Sequence, residues 1–205
     1  MSTRIAAQPT SMRKEPSQAR SRATVEAVIE AGARILSEHG WAGFTTNKVA
    51  DAAGVSIGSL YQYFPDKVAL VGAIRRRHLD DSLAAVRNAL AAKMPLADFV
   101  EVLISNIIEA HSIHPGLHRI LLDEAPGLES YRDQNSLVER QYLALYEEAA
   151  AIYRPQRADP PATTVGLVMS DAIDGVIHNA ARRGMLREPQ IRDDLVRMIR
   201  LYLAD

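Results

Sequence analysis

The segment FTTNKVADAAGVSIGSLYQYF, residues 44–64, contains the same helix-starting device twice within twelve residues. With Thr45 as N-cap, Phe44 takes the preceding position and Val49 the fourth helical one, a hydrophobic staple that sets how the chain enters the helix. Ser56 repeats the pattern, with Val55 paired to Leu60. Gly54 lies between the two and can take the left-handed conformation that stops the first helix. Two short capped helices joined by a glycine-containing turn predict a helix-turn-helix. Upstream, Val25, Val28, Ile29, Ala31, Ile35 and Leu36 follow helical spacing from Ser21 to His39, and Gly40 supplies a stop. The prediction is three helices over residues 21–67.

Beyond Lys67 no alternating strand pattern occurs. Helical periodicity predicts segments at Asp66–Lys93, Leu96–His114, Gly116–Asp123, Leu128–Tyr153, Pro161–Arg183 and Glu188–Ala204. Prolines 95, 115, 126, 155, 160, 161 and 189 fall between them or in their first turns, where helices tolerate proline. The expected fold is all-α, with an N-terminal helix-turn-helix domain at 21–67 and a larger helical domain at 68–205.

A content of 47% hydrophobic residues suffices for packed cores. Apolar runs such as FVEVLI and VGLVM are too short to span a bilayer, and residues 1–20 lack a signal-peptide core. The expectation is a cytoplasmic protein without a membrane partner. The absence of cysteine excludes disulfides, zinc ribbons and thiol redox sensing. Residues 1–78 carry 11 Lys/Arg against 6 Asp/Glu, the remainder 13 against 19. Only the front of the chain is thus suited to a polyanion. Residues 1–20 read as a flexible basic arm whose Arg4, Arg13, Lys14 and Arg20 either enter a minor groove or form a solvated tail.

On a wheel of residues 57–64, Leu60, Phe64 and Ile57 form the buried stripe, and Gly58 and Gln62 point away from it. Ser59 and Tyr63 lie on one shoulder, Tyr61 on the other. This outward face is aromatic and uncharged, which suits a major groove better than solvent. Gln62 can read a base edge through its amide, Tyr61 and Tyr63 can donate to phosphates, and Gly58 allows close backbone approach. Lys67 begins the next helix, where its ammonium and free backbone N–H groups can hold a phosphate.

The segment ILSEHGWAGFTTNKVADAAGVSIGSLYQYFPDKVAL, residues 35–70, resembles the tetracycline-repressor (TetR) family of bacterial transcription regulators in its successive Gly, Phe-Thr-Thr, Val-Ala, Ala-Gly-Val, Gly-Ser-Leu-Tyr, Tyr-Phe and Lys positions. The resemblance implies that the first three helices bind double-stranded DNA. It places Thr45 or Thr46 with Tyr61, Tyr63 and Lys67 at phosphates, and Asn47, Ser56, Ile57, Ser59 and Gln62 at or near base edges. Asn47 stands where some members carry arginine.

For the second domain the resemblance implies a layout: an effector pocket inside, and a homodimer interface from the last two long helices. Val165, Val168, Ala172, Val176, Ile177 and Ala180 form one apolar face, and Ile191, Leu195, Met198 and Tyr202 another. Gly166 and Gly175 add room for a second helix to approach. Effector-pocket candidates are Asn106, His111, Arg119, Tyr142, Tyr146, Met169, Asp171, Asp174 and His178. Asp171, Asp174 and His178 are spaced to face one way, but match no catalytic motif. Histidines 111, 114 and 118 carry metal-like spacing, yet Pro115 is expected to break the helix between them, so no metal and no cofactor is predicted. Together these features predict a dimeric, ligand-released repressor rather than an enzyme, with an effector-free DNA-binding protein or a helical enzyme using Asp171, Asp174 and His178 as alternatives.

Overall fold

The computed structural model describes residues 12–13, 16–126, 137–154 and 160–204. Among these the regular structure is entirely helical: α1 Ala19–Gly43, α2 Thr46–Ala52, α3 Ile57–Tyr63, α4 Lys67–Ala91, α5 Leu96–Ser112, α6 Leu117–Asp123, α7 Leu137–Tyr153, α8 Ala162–Arg182 and α9 Pro189–Ala204. The expected all-α class is what the chain adopts. The predicted start of the third-from-last segment at Leu128, together with Arg4, Lys14 and Pro155, lies outside the described residues. By internal contacts the chain divides into two compact units, Met1–Arg77 with Ile120–Gly127, and His78–Arg119 with Leu128–Asp205.

In the first unit the caps form as the sequence requires. Thr45 accepts from the Lys48 N–H at 3.3 Å, and Ser56 from the Ser59 N–H at 3.1 Å. Gly54 sits at φ 67°, and the Val55 N–H reaches the Ala50 carbonyl at 3.0 Å, closing α2 with a Schellman motif. Gly40, at φ 66°, breaks α1 where the stop was expected. The Trp41 N–H that follows it donates to the Glu124 carboxylate at 3.2 Å. Phe44, Val49, Leu60, Phe64, Leu70 and Ile74 are almost completely buried and fix the three helices against the start of α4. Truncating one of these side chains to alanine costs about 2–5 kcal/mol. Ile57 departs from the wheel: it is 38% exposed, because at the first helical position it lies beyond the neighbours that cover Leu60.

The second unit has its own core, built on Phe99, Leu103, Ile104, Ile107, Tyr146, Met169, Ile173, Ile177, Leu195 and Ile199. Proline opens several of its helices: Pro95 and Pro161 precede α5 and α8, and Pro189 is the first residue of α9. Gly166 serves the chain's own interior. A Cβ there would lie 2.7 Å from the Glu147 backbone nitrogen, so the helix it admits is α7, not a helix of a second copy. Gly175 meets nothing within 4 Å and keeps its face open.

Candidate nucleic-acid interface

The outward face of α3 is assembled by its own cap and by α2. Ser56 and Ser59 hydroxyls lie 2.8 Å apart at the helix start, so both are held there with hydrogen-bonding capacity left over. The Tyr61 hydroxyl meets the Thr46 hydroxyl at 3.1 Å, and Tyr61 remains 41% exposed. Asn47, Gln62, Thr45 and Gly58 are exposed, while Tyr63, Thr46 and Ser59 are half-buried. A Cβ on Gly58 would meet only the Ser56 hydroxyl, at 3.8 Å. Nothing inside the protein therefore requires glycine at that position. The Tyr63 carbonyl accepts from the Arg13 N–H at 2.7 Å, and the Arg13 side chain is exposed.

Lys67 occupies a more constrained setting than the sequence indicates. Its ammonium lies 3.8 Å from the centre of the Trp41 ring, a cation–π contact. The Asp66 carboxylate caps α4 by accepting from the Ala69 N–H at 2.8 Å. That cap takes up the Ala69 amide, one of the N–H groups expected to be open at this helix start.

The second-unit candidates separate into groups. Tyr142 donates to Asp174 at 2.9 Å, and its hydroxyl lies 3.1 Å from that of Tyr146. Burial pushes the Asp174 carboxyl up to about 7, against a partial lowering by Tyr142, and raises both tyrosines. Asp171 is exposed, so Asp171, Asp174 and His178 do not share one environment as their spacing had implied. Met169 is fully buried in the core, Asn106 donates to the Ala85 carbonyl at 3.4 Å, and Arg119 is exposed. Of the interface candidates, Val165, Ile177, Ala180 and Leu195 are buried in the unit's own core and have no surface to offer a partner. Val168 and Met198 are exposed, and Ala172, Val176, Ile191 and Tyr202 half-buried.

His111 and His178 belong to a further group with His118 and with His78, a residue that sequence reasoning missed. The Pro115 break does occur, between α5 and α6, but it brings His118 back beside His111 instead of separating them. Burial lowers all four rings, His78 and His178 to about 3.

Among the described residues, an all-helical chain with a capped helix-turn-helix presenting an uncharged, hydroxyl-rimmed face has the architecture of the helix-turn-helix class of regulatory proteins. Residues 28–74 match the model of bacterial regulatory proteins of the tetR family, and residues 95–203 that of the tetracyclin repressor-like C-terminal domain. The chain is a member of the TetR family. It is 31% identical over 101 residues to the HTH-type transcriptional repressor KstR2 of Rhodococcus jostii, covering 49% of this chain and 50% of that protein. It is 34% identical over 120 residues to the nucleoid occlusion factor SlmA of Actinobacillus pleuropneumoniae, covering 58% and 57%. These matches thus span little more than half the length of the curated relatives. The fold is shared with the fatty acid degradation regulator FadR of Bacillus halodurans, at TM-score 0.69 and 17% identity over 87% of this chain and 97% of that one. A TetR-family regulator from Streptomyces coelicolor gives TM-score 0.61 and 21% identity over 88% and 97%. Among the described residues no helix is long and apolar enough to cross a membrane.

Proposed function

We propose that the chain is a homodimeric repressor that sets two copies of α3 into successive major grooves of a palindromic operator and leaves it when a small molecule binds the second unit. The observation that carries the reading is the outward face of α3, where Ile57, Gly58, Tyr61 and Gln62 are exposed without a charge among them. Gln62 is the base reader, with Asn47, Ser56 and Ser59 near the base edges; Thr45 or Thr46, Tyr61, Tyr63 and Lys67 hold the phosphate walls. Half-sites are then centred about 34–36 Å apart.

Dimerisation is assigned to α8 and α9, each of which buries one face in its own core and leaves a second apolar one. Leu167, Val168, Met198 and Leu201 are 42–65% exposed on these helices. A groove of about 510 Å³ beside them includes Gly175, Val176, Met185 and Ile191. A four-helix contact between copies covers such surfaces. The effector is assigned to the wall around Tyr142, Tyr146 and Asp174, which offers two hydroxyls and one protonatable carboxyl among apolar neighbours. That chemistry suits an aliphatic molecule with a hydrogen-bonding head. It is in keeping with relatives described as a repressor and as a regulator of fatty acid degradation.

Footprinting on DNA flanking the gene tests the reading: a protected inverted repeat is expected, and protection without sequence preference overturns it. Light scattering tests the dimer, which Val168→Asp with Leu201→Asp is expected to convert to monomer.

A further inference from the structure

Four histidine rings from four helices meet inside the second unit: His78 on α4, His111 on the last turn of α5, His118 on α6 and His178 on α8. The first three are buried, and their ligand nitrogens all lie within 4.8 Å of one another. His78 Nε2 and His118 Nδ1 are 3.0 Å apart. His178 stacks on His118 with ring centres 3.5 Å apart and lies 5.3 Å from His111.

Two features are poorly explained by simple core filling. His118 Nε2 is fully buried and makes no hydrogen bond, on a ring that is only 5% exposed. A buried polar atom without a partner costs stability, and an apolar side chain would fill the same space without that cost, so what an imidazole adds here is its other nitrogen, Nδ1, which faces His78. His111 shows the complementary arrangement. Its Nδ1 lies 2.9 Å from the Ile107 carbonyl, which must receive a proton from it, so Nε2 is left as a bare lone pair. A backbone carbonyl holding one ring nitrogen while the other faces inward is the usual support of a metal-ligating histidine.

We propose that His78, His111 and His118 form a binding site for one divalent first-row transition cation, with His178 packed against it. Zinc-to-imidazole bonds of about 2.0–2.1 Å place two ligand nitrogens on one tetrahedral ion roughly 3.4 Å apart. His78 Nε2 and His118 Nδ1 therefore need to part by only a few tenths of an ångström, and His111 to close in by up to about 1.4 Å. The donors are all imidazole, which suits zinc, nickel, cobalt or copper and disfavours magnesium and calcium, whose ligands are oxygens. The chain has no cysteine, so no thiolate draws the site toward soft monovalent copper. Burial keeps the rings neutral, the form that a metal requires. This assignment is independent of the DNA-binding reading.

The test uses the full chain stripped with chelator and titrated with zinc, nickel or magnesium. One zinc or nickel ion per chain is expected, with a raised melting temperature and no response to magnesium. Cobalt is expected to give a visible d–d absorption band of a nitrogen-ligated ion. His118→Ala is expected to lower zinc affinity at least tenfold, and His111→Gln, a milder change, to do the same if the first variant folds poorly. His39→Ala, an exposed histidine of the first unit, is expected to leave affinity unchanged. Absence of zinc and nickel binding, or equal affinity in His111→Gln and the parent, overturns the proposal. Loss of affinity in His39→Ala alone does so as well, because it moves the site to the surface.

Discussion

The hydroxyls of Tyr61 and Thr46 lie 3.1 Å apart, joining the middle of α3 to the first residue of α2. The pair fixes the ring of Tyr61 on the exposed rim of the helix without burying it. An exposed neutral hydrogen bond contributes only about 0.5–1.5 kcal/mol to stability. Tyr61→Phe is therefore expected to lower the melting temperature by a few degrees at most, yet to weaken operator binding about tenfold by removing the proposed phosphate donor. Thr46→Val, which leaves the tyrosine hydroxyl in place but unheld, is expected to weaken binding less. Fluorescence anisotropy with operator DNA, alongside thermal melts, separates the two.

Gly58 gives a prediction in which stability and function move in opposite directions. Its Cβ position is open, so alanine gains helix propensity, worth up to about 1 kcal/mol. On the face proposed to be set against DNA, however, a methyl group holds the backbone away. Gly58→Ala is expected to melt higher and to bind operator at least several-fold more weakly. A variant that is more stable and binds equally well shows that this residue faces no DNA.

Gly166 and Gly175 are nine residues apart on α8 and have opposite uses. A methyl group at Gly166 drives into the Glu147 backbone, which cannot rotate away, so Gly166→Ala is expected to destabilise the second unit by several kcal/mol in urea unfolding. Gly175→Ala meets no atom of its own chain and is expected to leave monomer stability unchanged or higher while weakening the dimer. Sedimentation equilibrium reads the second effect.

The local devices of the fold were legible in the sequence, whereas the site inside the second unit was legible only in part. Thr45, Ser56, Gly54 and Gly40 act on their immediate neighbours, so capping and turn chemistry located α2 and α3 without tertiary information. The wheel misplaced Ile57 because a first helical position has no preceding turn to bury it. Helical periodicity identified Val165, Ile177, Ala180 and Leu195 as apolar, but periodicity alone does not distinguish a face covered by the same chain from one covered by a partner. His78 escaped notice because its neighbours in sequence are charged and the other three rings come from distant helices. The signal available was a lone histidine at a buried register of α4, which becomes informative only when α5, α6 and α8 are placed around it.

Acid is expected to destabilise the second unit. The histidines have folded values below their ordinary 6.5, with His78 and His178 at about 3, so between these limits the unfolded chain binds more protons and stability falls as pH falls. Asp174 works against this. Its folded value, about 7, stands above the ordinary 3.8, so the folded chain binds the extra proton and this group's contribution is lost as pH rises through 7. Several histidines outweigh one carboxyl, and each unmatched proton changes stability by about 1.4 kcal/mol per pH unit. The unfolding free energy is expected to drop steeply from pH 6.5 toward 4. Asp174→Asn is expected to steepen that drop by removing the opposing group, and denaturant titrations at four pH values measure both.

On the proposed DNA-binding face, the expected roles of Gln62 and Lys67 divide specificity from affinity. Gln62 is exposed and uncharged, so its loss removes an amide that can pair with a base but releases no counterion. Gln62→Ala is expected to relax preference at particular operator positions, at about 1–3 kcal/mol of discrimination, while binding to random duplex stays as it was. Lys67 carries a charge and rests on Trp41, so Lys67→Ala is expected to weaken binding to every sequence alike and to reduce the dependence of log affinity on log salt by about one phosphate contact. Removing the ammonium also uncovers the Trp41 ring, and a small change in indole fluorescence is expected even without DNA. Equal losses on operator and random duplex for Gln62→Ala would place the base reader elsewhere on α3, with Ser59 and Ile57 the next positions to change.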